Sequence, residues 1–186
     1  MILPLPDKLL ILDLDETLIY STTNELERPC DFKVFDYFVY KRPGVEDFIS
    51  HCGNCFQLAV WTSSGCDYAR EIIQHIFPES VQLQFVFTSE RCTARFDGES
   101  GTYFYSKPLK KIKRKGYSLN QVLIVDDTPE TFLQNYGNAI LVQKYEGFEE
   151  DRELFVLLKY LDIIRFEDDF RSTDKRGWRR KVANFD

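Results

Sequence analysis

Four short runs of this chain are apolar at every position: Leu9-Leu10-Ile11-Leu12, Leu58-Ala59-Val60-Trp61, Val122-Leu123-Ile124-Val125 and Ala139-Ile140-Leu141-Val142. Successive side chains of a strand point to opposite faces, so a strand with one wet face alternates apolar and polar residues, whereas an unbroken run marks burial on both. Such strands belong in a mostly parallel sheet flanked by helices. Helical patterns fill the gaps: residues 45–51, residues 67–77 with Ala69, Ile72, Ile73 and Ile76 on one stripe, and a basic stretch after Pro108. The β-α-β-α alternation predicts an α/β domain with a Rossmann-like sheet. A last helix over residues 150–165 carries Leu154, Leu157, Leu158, Leu161 and Ile164 at helical spacing, a stripe expected to pack on the sheet.

Length and composition bound the rest. The 186 residues suit a single domain, and 44% apolar with 15% aromatic residues exclude disorder as the main state. No run approaches the ~20 apolar residues needed to span a bilayer, and the N-terminus lacks a basic segment and cleavage site. Five cysteines, an odd number without framework spacing, point to reduced thiols. The expectation is a soluble, cytoplasmic, monomeric protein. A formal charge of −6 argues against a dedicated nucleic-acid binder, as does the lack of stacking aromatics within the basic stretch 107–115.

Two regions break the alternation. Residues 21–41 read as an irregular loop plus one strand, and residues 85–105, with Asp97-Gly98 between aromatic and Thr-rich flanks, as a small inserted β-hairpin. No large cap domain is expected. The domain is drawn over residues 1–171, with residues 172–186 as a basic, mobile tail.

Chemistry concentrates where the apolar runs end. The first run is followed by Asp13-Leu14-Asp15-Glu16-Thr17, the second by Thr62-Ser63-Ser64 and the third by Asp126-Asp127-Thr128-Pro129. In a parallel sheet these ends share one edge, where open α/β folds place ligands. Four aspartates gathered there repel strongly, since unit charges ~4 Å apart repel by about 4 kcal/mol at an effective dielectric of 20. A cation is required. Oxygen ligands without paired His or Cys favour Mg²⁺ over Zn²⁺. Lys107, in Ser106-Lys107-Pro108 at an expected helix start, is the candidate for one further positive charge. With Mg²⁺, this lysine and a proton on one carboxylate the four charges are balanced, so a phosphate dianion could enter without net repulsion.

These residues also carry a resemblance. Asp13-Leu14-Asp15-Glu16-Thr17-Leu18, then Thr62, Lys107 and Asp126-Asp127, in that order, resemble the four motifs of the haloacid-dehalogenase (HAD) superfamily. Closer still are its C-terminal-domain phosphatases of the NLI-interacting-factor type, whose segments are similar to Lys41-Arg42-Pro43-Gly44, Trp61-Thr62-Ser63-Ser64 and Asp126-Asp127-Thr128-Pro129. The likeness covers residues 8–165. Two departures stand out: Tyr20 replaces a frequent His, and the segment between Cys92 and Lys107 is longer, so the family's peptide specificity does not transfer.

The resemblance implies a Mg²⁺-dependent phosphatase in which Asp13 attacks phosphorus to form an aspartyl phosphate and Asp15 is general acid and then base. It implies metal ligation by Asp13, by the Asp15 backbone carbonyl and by a fourth-motif acid, here Asp127, with Asp126 acting through water or Lys107. Thr62, the backbone at Ser63 and Lys107 would hold the phosphoryl oxygens, and Thr17 would fix the loop. Arg91 is a candidate contact for a second anionic group of the substrate. The expected substrate is phosphoserine or phosphothreonine in a protein, with a phosphorylated metabolite or a non-catalytic interaction module as alternatives. A phosphoacceptor receiver domain is opposed by motif order, because D-x-D comes first here. The C-x-x-C of Cys52 and Cys55 lacks a second pair, and is expected to be two small buried thiols.

Overall fold

The computed structural model describes residues 7–98 and 101–183. Its centre is a five-stranded parallel sheet of β1 (Leu9–Leu12), β5 (Gln57–Trp61), β6 (Leu83–Phe87), β9 (Val122–Asp126) and β10 (Ala139–Leu141), in the order β10-β9-β1-β5-β6. All four apolar runs become strands. Their residues divide by parity, as a two-residue period requires. Leu10, Leu12, Leu58, Val60, Leu123 and Val125 enter one core, and Leu9, Ile11, Ala59, Trp61, Val122 and Ile124 the other.

Helices α1 (Val45–Cys55), α2 (Cys66–Ile76) and α4 (Glu153–Ile164) supply buried side chains to the first core, among them Phe48, Ile72 and Leu157. The second core is covered more thinly, by Leu109, by Ile112 of the one-turn helix α3 (Lys110–Lys113), and by Phe132 of a 3₁₀ turn at Pro129–Phe132. Among the described residues no helix is long and apolar enough to cross a membrane.

Four expectations are corrected. The stretch after β1 is a three-stranded antiparallel sheet, β2 (Ile19–Thr22), β3 (Phe32–Val34) and β4 (Tyr37–Lys41), rather than a loop with one strand. Its strands are three to five residues long, too short to show a period. The inserted hairpin is narrower than predicted, β7 (Thr93–Asp97) with β8 (Thr102–Ser106), because Phe85 and Phe87 belong to edge strand β6. Lys107 precedes α3 by three residues and is not its first turn. The basic tail is not loose over its described residues, 172–183: α5 (Trp178–Ala183) packs on α4, with Trp178 and Val182 buried in the first core and the Trp178 Nε1–H donating to the Leu141 carbonyl at 2.9 Å.

Candidate active site

Strand register brings the acids together. Leu12 pairs with Val125, so Asp13, one residue on, stands beside Asp126, and its N–H donates to the Val125 carbonyl at 3.1 Å. The chain runs from β1 outward through β5 and β6, then returns to β9 on the other side of β1. Asp13 and Asp126 thus flank the switch point where ligands bind in open α/β sheets.

The buried Lys107 ammonium lies between them, 2.5 Å from Asp13 Oδ1 and 2.7 Å from Asp126 Oδ2. The lysine reaches this position because β8 delivers it and its backbone N–H donates to the Thr131 carbonyl at 2.6 Å. Thr131 Oγ1 donates to Asp126 Oδ2 at 2.8 Å, and the Thr128 N–H to Asp126 Oδ1 at 2.9 Å. Asp126 is therefore held by three protein donors. Buried Thr17 donates to Asp127 Oδ1 at 3.1 Å and to Asp13 Oδ2 at 3.4 Å, bridging the first and fourth motifs.

The loop carrying these groups is held tightly. Glu16 adopts φ of 59°, a left-handed conformation uncommon outside glycine, locked by its N–H to the Ile19 carbonyl and by the Tyr145 N–H to its own carbonyl, both at 2.7 Å. Arg42, fully buried, donates to the Thr17 carbonyl at 2.9 Å and to both Asp151 carboxylate oxygens at 2.8 Å. Asp151 Oδ1 also accepts the Glu153 N–H at 2.9 Å, so one guanidinium ties the start of α4 to the site loop.

Burial pushes the Asp13 carboxyl well above the ordinary carboxylate range; Lys107 opposes this and Asp126 adds to it. Burial, then the Asp126 charge, raises Asp127 likewise. Burial alone would lower Lys107, but Asp126 and Asp13 outweigh it and hold the ammonium above its usual range. Asp13, Asp126 and Asp127 each offer an oxygen within 4.8 Å of the others, three carboxylates against one ammonium. An oxygen-only set with this excess of negative charge fits a hard divalent cation such as Mg²⁺. His51, Cys55 and Asp162 also approach one another, but Arg165 donates to Cys55 Sγ at 2.8 Å and lies 3.4 Å from Asp162, so a cation already fills that place.

Other predicted residues take partners outside this set of acids. The Asp15 carboxylate turns to three hydroxyls: Ser64 at 2.6 Å, Tyr68 at 2.7 Å and Ser21 at 3.3 Å. Thr62 is buried, its Oγ1 accepting the Ser64 N–H at 3.0 Å, while Ser63 is exposed; α2 begins only at Cys66, so the N–H groups after Thr62 lie in a loop. The Arg91 guanidinium sits over the Phe87 ring, 5.1 Å from its centroid. Sequence reading missed Tyr68, Ser21 and Thr131 as site residues. Ser64 was within reach, being part of the strand-end cluster with Thr62, and Tyr68 follows it by one helical turn.

A parallel sheet with a paired acid motif after its first strand and a second acid pair across the switch point defines the HAD-type α/β class. Within it, this chain belongs to the NLI interacting factor-like phosphatase family, whose family model matches residues 8–171. It is similar to the probable C-terminal domain small phosphatase of Dictyostelium discoideum, 32% identical over 87% of this chain and 52% of that one. The CTD nuclear envelope phosphatase 1B of Danio rerio is 30% identical over 91% of this chain and 72% of that one. The solved structure of Fcp1, described as an essential RNA polymerase II CTD phosphatase, shares the fold with a TM-score of 0.58 at 15% identity, over 95% of this chain and 61% of that one. The chain spans 28%, 52% and 47% of three curated relatives from Dictyostelium discoideum and Schizosaccharomyces pombe.

Proposed function

We propose that this chain is a Mg²⁺-dependent phosphatase acting on phosphoserine or phosphothreonine in proteins. The observation that carries the reading is the Lys107 ammonium held between Asp13 and Asp126, with Asp127 close enough to complete a cation site. Asp13, the Asp15 backbone carbonyl and Asp127 would hold the metal, with Asp126 acting through water or Lys107, and the metal when bound would supply charge neutralisation for the incoming phosphate.

In the first step an Asp13 oxygen attacks phosphorus, the phosphorus–oxygen ester bond breaks, and the leaving oxygen takes a proton from Asp15. In the second, water attacks the aspartyl phosphate and gives its proton to Asp15, and inorganic phosphate departs from Asp13. Lys107 and Thr62 would hold phosphoryl oxygens, and Thr17, which contacts both Asp13 and Asp127, would keep them in register.

A protein substrate is supported by the insertion between β6 and α3, which is a two-stranded hairpin rather than a cap, so a phosphorylated side chain on a folded or extended protein can approach. The hairpin leads directly into Lys107 and exposes Phe96 and Tyr103, whose ring centroids are 5.1 Å apart. Five free cysteines support a reducing, cytoplasmic setting, and we take the working state to be monomeric. The test is a panel of phosphopeptides and phosphorylated metabolites, with Mg²⁺ and with EDTA. Turnover should require Mg²⁺, favour phosphopeptides and vanish in Asp13→Asn. Preference for one metabolite would remove the protein-substrate assignment, and no hydrolysis of any ester would leave a binding module.

A further inference from the structure

Asp15 has an unusual set of partners for an acidic residue beside a cationic site. Its carboxylate accepts from Ser64 in the β5–α2 loop, Tyr68 in the first turn of α2 and Ser21 on β2, while Lys107 is committed to Asp13 and Asp126. The Tyr68 and Ser21 oxygens also lie 2.7 Å apart, so while Tyr68 donates to Asp15 the Ser21 hydroxyl, with the longer contact to the carboxylate, can give its one proton to the phenol oxygen instead. The phenol ring is fixed by an edge-on contact with Tyr37 of β4, centroids 5.8 Å apart. Three separate elements therefore converge on one carboxylate.

The choice of hydroxyls matters chemically. A lysine or arginine can only donate, so it would hold the ionised acid and reject the protonated one; a hydroxyl donates to a carboxylate and, after rotating, accepts from a carboxylic acid. A group that starts protonated, gives up its proton to a leaving group and takes one from water needs partners of the second kind. Burial and then the Asp15 charge push the Tyr68 phenol above its ordinary range.

We propose that Tyr68, assisted by Ser64 and Ser21, is the positioning residue for Asp15, holding its carboxyl in one rotamer through both halves of the reaction. This rests on the phosphatase reading above. Its distinctive consequence is leaving-group dependence. Serine leaves as a strongly basic alkoxide that needs the proton from Asp15, whereas 2,4-dinitrophenolate leaves without one. Because kcat/KM reports only steps through formation of the aspartyl phosphate, it isolates the acid half of the cycle.

The experiment compares kcat/KM of wild-type protein, Tyr68→Phe and Ser64→Ala on a phosphoserine peptide and on 2,4-dinitrophenyl phosphate. A positioned general acid is worth ~10²–10⁴-fold, so Tyr68→Phe should lose about 10–100-fold on the peptide and at least about tenfold less on the aryl ester. Ser64→Ala should show the same asymmetry. In an Asp15→Asn background, adding Tyr68→Phe should cost nothing further on the aryl ester. Equal losses on both esters, or a change confined to KM, would overturn the assignment while leaving the phosphatase reading intact. Wild-type protein inert to both esters would overturn both.

Discussion

Lys107 offsets part of the charge that the three neighbouring carboxylates bring into a buried space. Removing one member of a buried ionic group costs about 3–5 kcal/mol when the charge left behind has no partner. Lys107→Met should therefore destabilise the protein by about that amount in EDTA, and urea denaturation with saturating Mg²⁺ should recover part of the loss. The carboxylates give the opposite sign. Burial raises Asp13 and Asp127, and a raised acid contributes stability that is complete below the ordinary carboxylate range and is lost as pH rises through the raised value. Without metal, Asp127→Asn should thus stabilise the protein relative to wild type by an amount that grows as pH rises above the ordinary carboxylate range, and Mg²⁺ should reverse the order. Thermal melts of the two proteins over that rise in pH, with EDTA and with Mg²⁺, check both signs. Asp13, Asp126 and Asp127 could be picked out of the sequence because each follows an apolar run. Tyr68 could not, because a tyrosine one turn into an amphipathic helix looks like any other half-buried aromatic until β2 is folded beside it.

Among the elements, the C-terminal helix is where sequence pattern misled most. Residues 172–181 include Lys175, Arg176, Arg179, Arg180 and Lys181, and the apolar Trp178 and Val182 are too few to form a stripe. Their burial is instead specified by partners far along the chain. Trp178 packs against Tyr160 of α4, ring centroids 5.5 Å apart, and bonds the Leu141 carbonyl, while Arg179 pairs with the buried Glu153, whose Oε1 also accepts the Gln143 N–H at 2.8 Å. Trp178→Ala should cost about 3–5 kcal/mol, as expected for emptying a buried indole site, with an unchanged denaturant m-value if the rest of the fold survives. The converse case is α2 and α4, which lie close to their predicted positions because their stripes repeat over eleven or twelve residues, while α1 starts as predicted and runs four residues past residue 51, to Cys55. The strands β2, β3 and β4 are stabilised by pairing with one another, which leaves no local mark in residues so few.

For the whole molecule, the proposed cation site and the fold are thermodynamically linked, since Asp13 after β1, Asp126 at the end of β9 and Asp127 after it converge only in the native state. A ligand at 100 times its Kd stabilises by about 2.7 kcal/mol, which for a chain of this size corresponds to roughly 5–10 °C in Tm. Mg²⁺ should raise the Tm of wild-type protein in this range, and Asp127→Asn should abolish most of the rise. A wild-type Tm indifferent to Mg²⁺ would contradict the assigned ligands. By itself the sequence determined the buried parallel sheet, its helical cover and the acids at its C-terminal edge, because burial on both faces and the demand of clustered charge for a counter-ion are written in local residue order. Only the tertiary structure decided which acid faces Lys107 and which faces hydroxyls, where the tail packs and how the insertion is bounded, because those depend on strand order and on side chains that approach from segments distant along the chain.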